Sequence, residues 1–262
     1  MPYRQKYDTM KKLIYFRIKH MKYSSQESFE TEPSSIADTE FLLRGTFNEI
    51  AFVDNFDKKY VSAPFVNQLI DPELQGYAAD MIVYDIVEKI RNEKIDIIRR
   101  GNKPPVFKVV GIPDSGLYLA TAVSERLGWK LAPGRKGPNP PPGAWKDQFI
   151  IEEKVRSYTT GAMSSFAFNG INPLEDNVLV IDDVVAKGYT SNLVIEEFLK
   201  RGVNVIGLAA YFDKMEQKGV STVEDNTGVK TFPALRVEKI YRDSLQLSDP
   251  HFYIEDDSTP TP

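Results

Sequence analysis

The chain predicts an α/β fold built on a parallel sheet flanked by helices, and two stretches carry that prediction. Residues 106–127 read as strand, turn and helix. Val106-Phe107-Lys108-Val109-Val110-Gly111-Ile112 is a short buried-strand pattern, Pro113-Asp114-Ser115-Gly116 forms a turn, and an apolar helical run continues to Leu127. Residues 177–212 read as a β-α-β unit. The buried run Val178-Leu179-Val180-Ile181 is followed by a helix through Arg201 that stops at Gly202, and a second strand spans Val203 to Phe212. Such a unit sets its strands parallel through a right-handed crossover, with the helix packed on the sheet.

The remaining elements follow in order. The first 22 residues carry Arg4, Lys6, Lys11, Lys12, Arg17, Lys19 and Lys22 against the single acid Asp8. Their apolar residues are interrupted by basic ones, so the stretch lacks the apolar core of a secretory signal. Tyr23 to Thr39, rich in Ser and Glu, reads as a linker. The expected organisation is a basic extension and linker over 1–45, a folded domain over 46–254 and a disordered, acidic, Pro/Thr-rich tail over 255–262. Asp71-Pro72 opens a periodic helix ending near Lys94, with Asp71 as its cap and Pro72 in its first turn. From Pro133 to Lys146 the Gly and Pro density predicts a long loop with no regular element, of the kind that usually carries function. Val155 to Phe168 reads as a strand pair.

Composition narrows the chemistry. The 262 residues are 42% hydrophobic and 27% charged, a globular balance. With no Cys, thiolate metal sites and cysteine nucleophiles are excluded. The two His, His20 and His251, lie near opposite ends, which disfavours a serine-hydrolase triad or a multi-histidine metal site. A net charge of −4 argues against DNA binding, no apolar run approaches the length of a membrane span, and the expected setting is cytoplasmic. A small-molecule role is left.

Ligands of open parallel sheets gather at the carboxyl ends of the strands. Three candidate sites lie at such ends: Asp114-Ser115-Gly116, Asp182 to Ser191, and Asp213-Lys214. In the second, Asp182 and Asp183 close a buried strand, and a short loop with Gly188, Thr190 and Ser191 opens directly into a helix. Backbone N–H groups and the positive end of the helix dipole suit a phosphate there, with hydroxyls as added donors. Neither the Walker spacing nor the dinucleotide Gly fingerprint is present. Two carboxylates beside a phosphate call for sugar hydroxyls or a cation, and a ribose 5-phosphate meets both needs.

The run from Val178 to Thr190 resembles the phosphoribosyl-pyrophosphate motif of type I phosphoribosyltransferases, in which hydrophobic residues lead to two acids and a small Gly-containing loop. Further segments resemble the xanthine branch in order: Asn67 with Ile70 to Leu74, Ser115-Gly116, Arg135-Lys136, Ser157-Tyr158-Thr159, Asp213-Lys214 and Arg236-Val237-Glu238. The resemblance covers about residues 55–245. It implies a small hood and a flexible lid loop beside the sheet. It also implies transfer of ribose 5-phosphate to a purine, with xanthine favoured and hypoxanthine, guanine or adenine as alternatives. Magnesium would be bound mainly through phosphoribosyl pyrophosphate, with no all-protein metal cage. By the same resemblance Asp182 and Asp183 meet the ribose hydroxyls and carry the catalytic role, and Ala186, Lys187, Gly188, Tyr189 and Thr190 hold the 5-phosphate. Pyrophosphate falls to Asp114, Ser115 and Gly116, a turn where the family often has a non-proline cis peptide. Arg135 and Lys136 start the lid, and in relatives the lysine can reach a neighbouring subunit, which implies a homodimer. Tyr60, Asn67 and Lys214 would contact the base. Lys187 and Tyr189 replace residues commoner in relatives, and Asp114 puts an acid beside the pyrophosphate. A regulator that senses phosphoribosyl pyrophosphate without turnover is the alternative of another class, and residues 1–55 show no helix-turn-helix pattern for it.

Overall fold

A computed structural model describes residues 33–54, 60–63, 66, 71–92, 95–99, 101, 103–136, 148–156, 163–242 and 244–250. The basic segment, both histidines and the acidic tail lie outside them. In chain order the helices are α1 (Pro33–Ile50), α2 (Pro72–Arg91), α3 (Gly116–Leu127), α4 (Tyr189–Lys200) and α5 (Gly219–Thr227). The strands are β1 (Phe52–Asp54), β2 (Tyr60–Ser62), β3 (Val106–Gly111), β4 (Lys130–Lys136), β5 (Gln148–Arg156), β6 (Met163–Asn169), β7 (Asp176–Val185), β8 (Asn204–Lys214), β9 (Thr231–Ile240) and β10 (Leu245–Leu247).

Eight strands form one sheet in the order β10-β9-β8-β7-β3-β4-β6-β5. Its middle, β9-β8-β7-β3-β4, is parallel throughout, as the crossover rule requires. The edges are antiparallel: β6 pairs with β4 and β5, and β10 with β9. β1 and β2 form a separate antiparallel hairpin, the small hood strands outside the main sheet.

Both faces of the parallel strands are covered, which is why they read as continuous apolar runs. Along β7 the side chains alternate: Leu179 and Ile181 face α1, α2 and α3 with Leu43, Phe47, Ile82 and Leu119, while Val178 and Val180 face α4 with Val194 and Phe198. Asp71 caps α2 as its position predicts, its Oδ1 accepting from the Glu73 and Leu74 N–H groups at 2.9 and 3.3 Å.

Two sequence expectations are corrected. The domain does not begin at residue 46. α1 starts at Pro33, within the expected linker, and buries Ile36, Leu42, Leu43 and Phe47 in the core. Its polar residues misled the compositional reading because they are buried too: Thr39 and Glu40 are 3% and 2% exposed, and Glu40 meets Arg44 at 3.5 Å. Nor does the loop begin at Pro133, since β4 runs on to Lys136. Pairing of β4 with β3 ends at Pro133 and pairing with β6 starts at Gly134, so the proline sits where the strand changes partner. Gly134 is needed there, because a Cβ would lie 2.6 Å from the Gly111 carbonyl oxygen and 2.7 Å from the Phe168 ring. Residues 137–147, the rest of the expected lid, lie outside the described residues.

Candidate functional site

Since β3, β4, β7, β8 and β9 run the same way, their carboxyl ends share one edge of the sheet. That edge brings together the Pro113–Gly116 turn after β3, Arg135 and Lys136 at the end of β4, the acid pair and following loop of β7, and Asp213-Lys214 at the end of β8.

The turn packs directly on the acids. A Cβ on Gly116 would lie 2.9 Å from the Ile181 carbonyl oxygen and 3.0 Å from Asp182 Cα, so only glycine lets α3 begin this close to β7. The Pro113–Asp114 peptide is cis. Asp114 is exposed, and its Oδ2 pairs with Lys136 Nζ at 3.1 Å. The acid that looked out of place in the sequence thus has a cationic neighbour from the adjacent strand.

Asp182 and Asp183 are the last acids of β7 rather than residues of the following loop. Their environments differ. Asp182 is 7% exposed, its Oδ2 accepts from Ser191 Oγ at 2.6 Å, and its Oδ1 accepts from the Asp183 N–H at 3.0 Å. Burial and the neighbouring Asp183 charge push the Asp182 carboxyl up to about 8, against the pull of the Ser191 hydrogen bond. Asp183 is half-buried, its Oδ1 accepting from the Val184 N–H at 2.9 Å.

Ala186 to Gly188 then turn the chain into α4. Gly188 has φ +73° and serves as the N-cap, with no side chain capping the helix. The leading N–H groups of α4 therefore retain the anion-binding character expected of an uncapped helix start. The loop is tight because it rests on α5. A Cβ on Gly188 would lie 2.7 Å from the Gly219 carbonyl oxygen, and one on Gly219 would collide with the Ala186 carbonyl oxygen. Lys187 and Tyr189 are exposed and Thr190 is half-buried. Ser191 departs from expectation: it is 1% exposed and its hydroxyl serves Asp182 rather than a bound anion.

Lys214, the last residue of β8, is 4% exposed. Burial lowers its ammonium from the usual range, and the charge of Asp183 works in the opposite direction. Its neighbour Asp213 is equally buried, with no hydrogen-bond partner for Oδ1 among the described residues. Burial raises this carboxyl to about 6, with Arg236 pulling it down and Glu224 pushing it up. Tyr60 lies on β2, without a described side chain; Asn67 and Ser157-Tyr158-Thr159 lie outside the described residues.

This arrangement is that of a known family, whose phosphoribosyl transferase domain model matches residues 77–233. The chain belongs to the phosphoribosyltransferase family. Its relatives in that family are purine enzymes by name. A hypoxanthine/guanine phosphoribosyltransferase of Methanobrevibacter ruminantium is 30% identical over 163 residues, 61% of this chain and 78% of the relative. A xanthine phosphoribosyltransferase of Streptococcus gordonii is 25% identical over 169 residues, 64% of this chain and 83% of the relative. Among solved structures, the adenine phosphoribosyltransferase of Saccharomyces cerevisiae superposes with a TM-score of 0.54 at 16% identity, covering 76% of this chain and 99% of that one. This last likeness carries the fold of the phosphoribosyltransferases and not a choice of base.

Two features of the site were missed in the sequence. Ser191 carried the right hydroxyl, but nothing local distinguishes one aimed inward at a carboxylate from one aimed at an anion. Gly219 lies 31 residues beyond Gly188, and only the fold reveals that the two must touch.

Proposed function

We propose that this protein is a 6-oxopurine phosphoribosyltransferase that joins xanthine to the ribose 5-phosphate of phosphoribosyl pyrophosphate and releases pyrophosphate. The observation that carries the choice of base class is Lys214, a buried ammonium at the carboxyl edge within the field of Asp183. A lysine donates only, which suits a ring carbonyl and not the exocyclic amine of adenine. The α4 start with Lys187, Gly188, Tyr189 and Thr190 receives the 5-phosphate, and Asp183 accepts from the ribose hydroxyls. The 114–116 turn with Lys136 receives the diphosphate, with the Lys136 pair offsetting the charge of Asp114. As pyrophosphate departs, positive charge develops on the ribose, and Asp183 beside it stabilises that charge while the loops hold both phosphate groups in position.

Among the described residues no three His, Cys, Asp or Glu side chains cluster to hold a metal ion. With both Asp182 oxygens accepting protein hydrogen bonds, that donor set fits magnesium carried mainly on the diphosphate, with Asp183 the carboxylate toward it. The ion would offset phosphate charge. The homodimer and cytoplasmic setting expected from sequence remain part of this proposal. Among the described residues no helix is long and apolar enough to cross a membrane.

The test compares kcat/KM for xanthine, hypoxanthine, guanine and adenine in the wild-type protein and in Lys214→Met. Xanthine leads in the wild type, and Lys214→Met lowers kcat/KM for the oxopurines by roughly 10- to 100-fold, the worth of a hydrogen bond from a charged donor. A preference for adenine, or a Lys214→Met loss equal for all four bases, contradicts the reading.

A further inference from the structure

Ser191 lies in the first turn of α4, three residues after the αL cap Gly188, and is all but inaccessible at 1%. Its hydroxyl donates to Asp182 Oδ2 at 2.6 Å, a bond between two buried side chains. The other oxygen of Asp182 accepts from the Asp183 N–H at 3.0 Å. Both oxygens of Asp182 are thus held by the protein, one from the helix and one from the strand. Each oxygen commits one of its acceptor sites to the protein. The half-buried Asp183, whose backbone N–H it grips, is the more accessible acid of the two.

We propose that Ser191 is a positioning residue that sets the distance between the phosphate-receiving turn and the sugar-binding carboxylate, acting through Asp182. The inference rests on the function proposed above. The strand that carries the acids and the helix that starts the phosphate turn are joined by the 186–188 loop, and a covalent loop alone leaves their relative placement adjustable. The Ser191–Asp182 bond closes that loop with a second link. A ribose 5-phosphate has a fixed span from its phosphate to its ring hydroxyls, so a fixed span in the protein pre-arranges both contacts together. Gly219 backs the loop from α5 and Gly116 presses on Asp182 from α3.

The experiment measures steady-state kinetics and thermal unfolding of Ser191→Ala, Ser191→Thr and Asp182→Ala, with the double variant closing a cycle. Ser191→Ala raises KM for phosphoribosyl pyrophosphate and lowers kcat, together on the order of tenfold or more in kcat/KM, while KM for the base stays within about twofold. Ser191→Thr, which keeps the hydroxyl, recovers part of the loss. In the Asp182→Ala background, which leaves no acceptor for the hydroxyl, the further change Ser191→Ala has little effect, because the link is already broken. A Ser191→Ala variant that melts lower yet retains wild-type kcat and KM overturns the proposal and makes the bond one of stability alone. Equal losses from Ser191→Ala with and without Asp182→Ala overturn it as well, and that comparison serves even where a single variant folds poorly. A wild-type protein that turns over no phosphoribosyl pyrophosphate with any base defeats the underlying function rather than this role.

Discussion

At the residue scale, burial decides what each acid of the carboxyl edge does. Asp182 and Asp183 are neighbours in sequence and looked equivalent, but one is buried and bonded to Ser191 of α4 while the other is half-buried. Asp213 provides a direct check on the electrostatics. Its carboxyl is raised to about 6, so in the pH interval from about 4 upward the unfolded chain releases this proton before the folded one does. Its contribution to stability is therefore present below about pH 4 and lost as pH climbs through about 6. Asp213→Asn has no charge to bury, and gains up to about 2 kcal/mol relative to wild type between roughly pH 4.5 and 7.5. Thermal unfolding at the two pH values reads this as a widening gap in Tm in favour of the variant. A gap that stays constant with pH shows that Asp213 is ionised normally.

At the element scale, the β7–loop–α4 unit was legible because each of its parts has a local cause. Val178 to Ile181 is apolar on both faces, Gly188 supplies the positive φ of the turn into α4, and Gly202 ends the helix after Arg201. α1 and the end of β4 were not legible, since their causes are distant: α1 is helical against a core assembled from α2 and the sheet, and Pro133 is tolerated only because the strand changes partner there. The packing of the 186–188 loop on α5 belongs to the same class and is testable. Gly188→Ala meets a positive φ and a Cβ 2.7 Å from Gly219 O, whereas Gly128→Ala has φ +64° with nothing within 4 Å of its Cβ. Each variant loses about 1–2 kcal/mol of stability from the left-handed backbone. Only Gly188→Ala should also weaken phosphoribosyl-pyrophosphate binding, by at least about tenfold in calorimetric titration. Equal affinities for the two variants show that the loop is not the phosphate site.

At the scale of the whole molecule, the parallel strands assemble on one edge four groups that the sequence holds up to 100 residues apart, from Asp114 to Lys214. The helices matter to function by fixing those strands. α1 belongs to that support, and a chain begun at residue 33 should keep the wild-type melting temperature within a few degrees, about 2–4 °C per kcal/mol lost. A chain begun at residue 46 loses Ile36, Leu42 and Leu43 from the core. At about 2–5 kcal/mol for each large side chain removed, it should melt at least roughly 10 °C lower or not fold. Equal stability of the two chains restores the domain start read from composition.

The central claim is that this edge turns over phosphoribosyl pyrophosphate, and pyrophosphate release in the presence of xanthine and Mg2+ measures it most directly. The account predicts release coupled one-to-one to nucleotide formation in the wild-type protein, and a fall on the order of 100-fold or more in Asp183→Asn with the fold intact. No release with xanthine, hypoxanthine, guanine or adenine, from a protein that still binds phosphoribosyl pyrophosphate saturably, would contradict it and leave a binding site without catalysis.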